Sequence, residues 1–254
     1  MSGPTGVVLV VVVGLVVGSF LNVCIHRLPR GGSIVYPPSH CPFCGRSLRW
    51  FDNVPVIGYV VLRGRCRACG EPISLMYPAV ELATAAFFLL QYWHVGWQPL
   101  LIVRLALSGA MLVLFVIDLR HRILPNVITI PGIVVGLVAS LFVEPGWIDA
   151  LIGLAVGSGS LLVISEAYYR IRGEEGLGMG DIKMLGMIGA FLGWQLMLVT
   201  LLLASLLGSL AGLAVMALRR GDARYALPLG SFLAVAAIVA TLVGEPFIVW
   251  YASF

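Results

Sequence analysis

The chain has 254 residues, of which 60% are hydrophobic and only 11% are charged, and its mean hydropathy is +1.02. Soluble domains usually carry about 25% charged residues, so this composition excludes an ordinary soluble globular protein. The 16 basic and 12 acidic side chains give a formal net charge of +4. We therefore predict an all-α polytopic membrane protein.

The first apolar run, about residues 6–25, is long enough to cross a bilayer as a helix. A secretory signal would carry basic residues before its apolar run and a small-residue cleavage site after it. Here MSGPTG precedes the run, and Arg27 and Arg30 follow it. We expect a retained transmembrane helix over residues 1–25, with Cys24 near its end as a packed core thiol.

Residues 26–76 form the one sizeable polar segment, which we call the cysteine loop. It is too small and too poor in aliphatic residues to fold well on an apolar core alone. It contains two Cys-x-x-Cys pairs with 21 residues, 45–65, between them. Two such pairs at this separation indicate a tetrahedral zinc site. The predicted ligands are Cys41, Cys44, Cys66 and Cys69.

Four thiolates fill the coordination shell of zinc, so the predicted role of the metal is structural. Disulfides are the alternative, but thiols in a cytoplasmic loop are kept reduced. His26 and His40 flank the pairs, and His40, beside Cys41, could serve as a ligand in a variant site. With four cysteines present, we expect both histidines to be solvated.

Residues 77–254 are predicted to form a multi-helix membrane domain, and the whole chain to cross the membrane about eight times. The candidate spans after the first are 77–95, 99–118, 123–143, 148–169, 182–194, 195–218 and 227–252. The short span 182–194 is rich in glycine, and small residues allow helices to approach closely. We therefore predict a tight helix packed among others there.

The orientation follows from the loops, because cytoplasmic loops carry an excess of lysine and arginine. The cysteine loop and the segments after the third, fifth and seventh spans are basic, whereas HVGWQP and VEPGWID contain no lysine or arginine. Arg104, inside the third span, is the exception. The basic segments after those spans contain Arg120, Arg122, Arg170, Arg172, Lys183, Arg219, Arg220 and Arg224. We expect these segments to face the cytoplasm and both termini to face outward.

The acidic residues near the membrane that could carry function are Glu81, Asp118, Glu166, Asp181 and Glu245. Glu81 and Glu245 are near helix ends, where either could cap a helix or reach the interface. Asp118 closes the third span and Asp181 opens the sixth, so the predicted topology places both at the cytoplasmic membrane surface. The structural alternative for Asp118 is an ion pair with Arg122, one turn later.

Two carboxylates held close in a low-dielectric site share one proton. The ionised member can take a proton from water while its partner protonates a peptide carbonyl oxygen, which is aspartyl peptide hydrolysis. The glycines of GLGMGD, before Asp181, would let backbone and substrate approach closely. A transporter or channel also uses intramembrane acids, although usually midway through the membrane. A purely structural assembly protein is the third possibility and would leave the pair without a role.

Six segments, in this order along the chain, resemble the type IV prepilin peptidases, which are bacterial membrane aspartyl proteases with a GxGD signature. They are GSFLNVCIHRLPR, FDNVPVIGYVVLRGRCRACGEPIS, YPAVEL, IDLRHRILPN, EEGLGMGDIKMLGMIGAFLGW and LPLGSFLA. The resemblance implies that Asp118 and Asp181 are the catalytic aspartates. Two positions depart from the family pattern. Asn126 stands where the family commonly has aspartate, and Ser231 where it often has proline.

The resemblance further implies cleavage of type IV prepilins or pseudopilins at the cytoplasmic face of the bacterial inner membrane, after a short basic leader. Family members with the cysteine loop usually also methylate the new N-terminal amine with S-adenosylmethionine. No nucleotide-binding fingerprint occurs in residues 26–76. Membrane lipid is the expected surrounding, and no nucleic-acid partner is implied. The cofactor-binding residues, the individual substrate and the oligomeric state stay open.

Overall fold

The computed structural model describes residues 3–174, 176, 178–219 and 228–253. Within these ranges every regular element is helical, which confirms the predicted all-α class. The only extended pairings there are two isolated β-bridges in the cysteine loop. Arg220 and Arg224, on which part of the predicted orientation depends, lie outside the described residues.

The α-helices of the described chain follow the predicted spans closely. They are α1 (Pro4–Arg27), α2 (Ile57–Val61), α3 (Met76–Val95), α4 (Pro99–His121), α5 (Asn126–Ala139), α6 (Trp147–Arg172), α7 (Met179–Arg219) and α8 (Leu229–Ala252). Short 3₁₀ turns occupy Leu28–Arg30 and Trp50–Asn53. The predicted spans 182–194 and 195–218 fall together in α7.

Five helical segments of the described chain are long and apolar enough to cross a membrane: Pro4–Arg30, Pro99–His121, Trp147–Arg172, Met179–Leu218 and Leu229–Tyr251. The chain is therefore a multi-pass membrane protein. Helix α5 is apolar but has only 14 residues. The predicted total of about eight crossings stays a prediction.

The chain separates into two compact units, residues 1–113 and 114–254, with the division inside α4. The predicted boundaries after residues 25 and 76 stay predictions.

In the first unit, α1 packs antiparallel against α3 in a regular register. A methyl group on Gly14 would lie 2.6 Å from Ala85 Cα, and one on Gly18 would lie 2.7 Å from Glu81 Cα. One turn further, the Asn22 side-chain amide donates to the Tyr77 carbonyl oxygen at 3.0 Å. Each step of four residues forward on α1 is matched by four backward on α3. The two glycines allow the close backbone approach that small residues give membrane helices.

In the second unit, the first half of α7 packs antiparallel against α6. A methyl group on Gly157 would lie 3.0 Å from the Leu185 carbonyl oxygen, and Gly153 and Gly189 lie backbone against backbone. The α7 side chains from Met184 to Ile188 that are not glycine are completely buried. This confirms the predicted tight helix packed among others.

Helix α7 is two helices joined at Gly193, whose φ of 75° and ψ of 174° are not helical. Gly193 lies beside Pro145 and Asp149, which flank the start of α6. A left-handed φ favours glycine because any side chain would be strained there.

The chain reverses direction at that glycine. A straight helix would separate Gly180 from Gly208 by about 42 Å. Instead, a short series of contacts links the two glycines. Leu124 lies between Gly180 and Gly230, because a methyl group on either glycine would be 2.9 Å from its side chain. Phe232, two residues after Gly230, packs its ring on Gly208. The predicted division into spans 182–194 and 195–218 thus coincides with a structural break.

Candidate active site and metal centre

The four predicted metal-ligating cysteines converge. The sulfur atoms of Cys41, Cys44, Cys66 and Cys69 all lie within 4.8 Å of one another. Cys41 Sγ and Cys69 Sγ are 3.8 Å apart, close to the edge of about 3.8 Å expected when four sulfurs surround zinc at about 2.3 Å. All five cysteines are free thiols. The donor set therefore fits a tetrahedral thiophilic metal, and the alternative of disulfides in the loop is wrong for this structure.

The two Cys-x-x-Cys pairs have the same local fold, repeated 25 residues later (41 to 66). Cys41 N–H donates to the Arg46 carbonyl at 2.9 Å, and Cys66 N–H donates to the Glu71 carbonyl at 2.8 Å. In each pair the following glycine, Gly45 or Gly70, has a positive φ and donates to the first cysteine's carbonyl. Each pair is thus a compact turn that presents two sulfurs on one side.

The turn geometry also favours the thiolate form of one ligand. Backbone N–H groups of Cys69 and Ala68 lower the pKa of the Cys66 thiol to about 6. Desolvation and the hydrogen bonds within the cluster raise the pKa of the neighbouring Cys69 thiol to about 12, so Cys66 is the sulfur that gives up its proton first. His40 is exposed and lies outside the sulfur cluster, as predicted.

Polar contacts supplement the small apolar content of the cysteine loop. The Arg67 guanidinium donates twice to Asp52 Oδ1, at 2.9 and 2.7 Å, and its charge lies 5.4 Å from the centre of the Phe51 ring. Asp52 is almost fully shielded from solvent, with its side chain 5% exposed. Such a buried acceptor needs its donors, so this pair helps to fix the loop.

Glu81 is a buried residue that joins the cysteine loop to helix α3. It lies on the first turns of α3, is 7% exposed, and its Oε2 accepts the Val56 N–H at 2.8 Å. Val56 precedes α2 and has a positive φ of 59°. The carboxylate therefore caps the start of α2, which is one of the two roles predicted for it.

Of the other acids, Glu166 is exposed and pairs with Arg170 at 2.8 Å on α6. Its position is that of an ordinary surface ion pair. Glu245 lies exposed on α8. Cys24, near the end of α1, is buried as predicted.

Asp118 lies in the last turn of α4 and is 5% exposed. Its Oδ2 accepts two hydrogen bonds from Ser231, from the backbone N–H at 2.6 Å and from the hydroxyl at 2.9 Å. Ser231 lies 113 residues away, in the first turn of α8. The carboxylate thus satisfies one of the N–H groups that a helix leaves unpaired at its start.

Asp181 lies in the first turn of α7, partly buried, and it interacts electrostatically with Asp118. Leu124 connects the two aspartates. Its side chain contacts Gly180, the residue before Asp181, and it also contacts Gly230, which in turn lies against Asp118 Oδ2. We call Asp118, Asp181, Ser231 and Leu124 the carboxylate site. The structure thus brings together the two predicted aspartates from separate helices.

Two basic residues follow the aspartates closely along the chain, Arg122 after Asp118 and Lys183 after Asp181. The charge of Arg122 acts on Asp118, and the Arg122 N–H donates to the Asp118 carbonyl oxygen at 2.8 Å. Lys183 Nζ donates to Asn126 Oδ1 at 3.0 Å. Asn126 therefore still accepts a hydrogen bond from a cation, although it lacks the charge of the aspartate common in the family.

Sequence reasoning missed the parts played by Ser231 and Leu124. Ser231 attracted notice only as a departure from the family pattern, and its pairing with Asp118 required the packing of α4 against the start of α8. The departure itself was the available signal, because proline can donate neither of the two hydrogen bonds.

The first unit also contains a cavity of about 550 Å³ between α1 and the cysteine loop. Its lining includes Phe20, Ser19, Arg27, Trp50 and Asn53. The volume lies within the range of about 300–1,000 Å³ that is typical of small-molecule sites, and a mainly apolar lining with a few polar groups is also typical.

Comparison with known proteins gives matches along most of the chain. Residues 12–95 match the bacterial peptidase A24 N-terminal domain, and residues 105–213 match the type IV leader peptidase family. Similar curated proteins are each named prepilin leader peptidase/N-methyltransferase. One from Pseudomonas putida is 36% identical over 94% of this chain and 91% of its own length. One from Pseudomonas aeruginosa is 35% identical over 100% and 96%. One from Myxococcus xanthus is 42% identical over 84% and 64%. No solved structure matches the chain.

Proposed function

Because the chain belongs to the type IV leader peptidase family, we propose that it is a membrane aspartyl endopeptidase that removes the basic leader from type IV prepilins or pseudopilins. The observation that carries the chemical assignment is the meeting of Asp118 and Asp181. The two residues come from the ends of α4 and α7, and they lie close enough for their charges to interact.

The proposed reaction needs one ionised and one protonated carboxyl group. The ionised aspartate removes a proton from water as the water oxygen bonds to the scissile carbonyl carbon. The protonated aspartate gives its proton to the carbonyl oxygen as the carbon–oxygen double bond becomes single. When this tetrahedral intermediate collapses, the carbon–nitrogen bond breaks and the amine nitrogen takes a proton from the carboxyl group that now holds one. The other carboxylate takes a proton from one hydroxyl of the intermediate as the carbon–oxygen double bond forms again. The pair ends with one proton, as it began.

We propose zinc as the metal of the cysteine loop, held by Cys41, Cys44, Cys66 and Cys69. Bound there, it would crosslink the two turns and have no open coordination position for substrate. Its contribution is therefore to the folding of the loop, and the hydrolytic step is assigned to the aspartates alone.

We propose that the protein lies in the bacterial inner membrane with the carboxylate site facing the cytoplasm. The described basic residues Arg120, Arg122 and Lys183 follow Asp118 and Asp181 within four residues along the chain, as the positive-inside rule predicts for a cytoplasmic surface. A cysteine placed at His121, which is exposed, should escape membrane-impermeant thiol reagents in intact cells and react after lysis. The background is Cys24→Ala, in which the four loop cysteines are held by the metal. Labelling in intact cells would contradict this orientation.

We further propose methylation of the new N-terminal amine, as the names of the relatives indicate. S-adenosylmethionine would supply an electrophilic methyl group. The cavity beside α1 is large enough for such a molecule, and the exposed Trp50 indole offers a stacking surface for an adenine ring. Trp50→Ala should weaken equilibrium binding of the methyl donor to the purified protein and leave peptide cleavage unchanged. Unchanged donor binding would exclude this cavity.

One experiment tests the main proposal. A synthetic peptide with a basic leader, a Gly-Phe junction and an apolar helix is incubated with purified protein and methyl donor, and the products are analysed by mass spectrometry. We expect cleavage between glycine and phenylalanine and a mass increase of one methyl group on the released amine. A proton-flux assay in liposomes addresses the transporter alternative. Flux without cleavage would overturn the peptidase assignment.

A further inference from the structure

Ser231 is the residue through which α8 contacts a predicted catalytic carboxylate. It donates to Asp118 Oδ2 from its backbone N–H at 2.6 Å and from its hydroxyl at 2.9 Å, and the serine itself is only 3% exposed. Hydrogen bonds to a charged acceptor are roughly twice as strong as neutral ones, and burial protects them from competing water. Two donors on one oxygen fix both the rotamer of the carboxyl group and the identity of the oxygen that remains available.

We propose that Ser231 is a positioning residue for peptide cleavage, which holds Asp118 by Oδ2 so that Oδ1 meets the reacting water. This inference rests on the proposed function. It gives Ser231, which acts as neither acid nor base, the role of orienting the Asp118 carboxyl group.

The surroundings of Ser231 support positioning over simple packing. Its N–H belongs to the first turn of α8, where the helix supplies no acceptor, so Asp118 is the partner that the position requires. Gly230, directly before it, would bring a methyl group within 3.0 Å of Asp118 Oδ2. A side chain at 230 would therefore compete for the space of that oxygen.

The inference concerns this chain in particular. A proline at position 231 has no N–H and no hydroxyl, so a Gly-Pro-Phe sequence could donate neither hydrogen bond. Members of the family with that sequence must hold the corresponding aspartate by other contacts.

The test is steady-state kinetics of cleavage of the synthetic leader peptide by four full-length variants. Ser231→Ala keeps the N–H donor and loses the hydroxyl, and we expect kcat to fall about 10-fold with KM within about twofold of wild type. Ser231→Thr keeps both donors and should restore kcat to within about threefold of wild type. Ser160→Ala is the matched control, because the Ser160 hydroxyl donates only within α6, to the Gly157 carbonyl at 3.1 Å. It should leave kcat unchanged.

The fourth variant, Asp118→Asn, separates this inference from the proposed function. If Asp118→Asn abolishes cleavage while Ser231→Ala cleaves at the wild-type rate, positioning by Ser231 is wrong and the aspartyl mechanism stands. If Ser231→Thr is as slow as Ser231→Ala, the hydroxyl does not act through its hydrogen bond and the inference also fails. If Asp118→Asn itself cleaves normally, both fail. Metal content and thermal unfolding of each variant establish that it is folded.

Discussion

The cysteine loop and the carboxylate site differ in how far along the chain their parts lie. Each half of the sulfur cluster is a turn of a few residues, in which hydrogen bonds such as Cys41 N–H to the Arg46 carbonyl are local. The carboxylate site joins α4, α7 and α8, and its hydrogen bonds to Asp118 cross 113 residues. A local turn can keep its shape when distant packing fails, whereas the carboxylate site exists only when three helices are in place.

This difference separates two kinds of sensitivity. Damage to the cysteine loop should be felt mainly as lost stability, because its metal has no open coordination position. Damage to the carboxylate site should be felt mainly as lost rate, because its residues act on the reacting atoms. Substitutions in the two regions should therefore differ in whether they change the cleavage rate or the stability.

The largest effect is expected at the aspartates. Asp118→Asn and Asp181→Asn should each lower kcat for leader-peptide cleavage by about 10²–10⁴-fold, the typical contribution of acid–base catalysis. Because the two act as a unit, the double variant should be little slower than either single one. Glu166→Gln is the control, since that exposed acid only pairs with Arg170. Near-normal cleavage by either asparagine variant would remove the dyad mechanism.

Loss of the metal should have the second largest effect, and it should mainly lower the stability of the cysteine loop. Cys66→Ser should abolish stoichiometric zinc, measured by elemental analysis, and expose the loop to protease. Its cleavage rate should fall less than that of the aspartate variants. Because protons compete with the metal for the thiolates, metal should stay bound at neutral pH and be released as the pH falls. Cys24→Ala, at the buried thiol of α1, should keep its zinc, and zinc loss there would disprove the assignment of ligands.

A packing substitution at the contact between α6 and α7 should lower stability and cleavage rate together. Gly189→Ala would force a methyl group into the Gly153 backbone and should cost about 1–3 kcal/mol of stability, lowering the thermal midpoint and the rate together. Gly159→Ala is the matched control on α6, because a methyl group there meets nothing within 4 Å. Helix propensity should make it neutral or about 1 kcal/mol stabilising. Equal effects of the two substitutions would contradict the described interface.

The smallest effect is expected at Glu81. Glu81→Gln keeps a side-chain oxygen to accept the Val56 N–H, so cleavage should fall less than about 10-fold. Glu81→Ala leaves that N–H without its acceptor and should destabilise the cysteine loop by about 1–3 kcal/mol. Hydrogen exchange at the Val56 amide measures this directly. A loss of rate as large as that of Asp118→Asn would place Glu81 in the catalytic machinery.

The fold class, the family and most of the helices could be predicted from the sequence. Long apolar runs must form helices in a membrane because every backbone polar group needs an internal partner there, and the described helices follow the predicted spans. The four cysteines were predictable as one cluster because Cys-x-x-Cys is a local chelating unit whose shape hardly depends on the rest of the chain. Asp118 and Asp181 could be paired in advance because both stand at helix ends on the same predicted membrane face.

Only the tertiary structure decided which groups touch these residues. Three contacts or bends depend on residues that are far apart in sequence. They are the hydrogen bonds from Ser231 to Asp118, the hydrogen bond from the Val56 N–H to Glu81, and the reversal of α7 at Gly193. Helix periodicity gives the direction of each apolar face, but these apolar helices have no strongly polar side to reveal their rotation. A small residue such as Gly18 indicates that another backbone approaches closely, but it does not indicate which one. Only the packed helices show that the partner of Gly18 is Glu81.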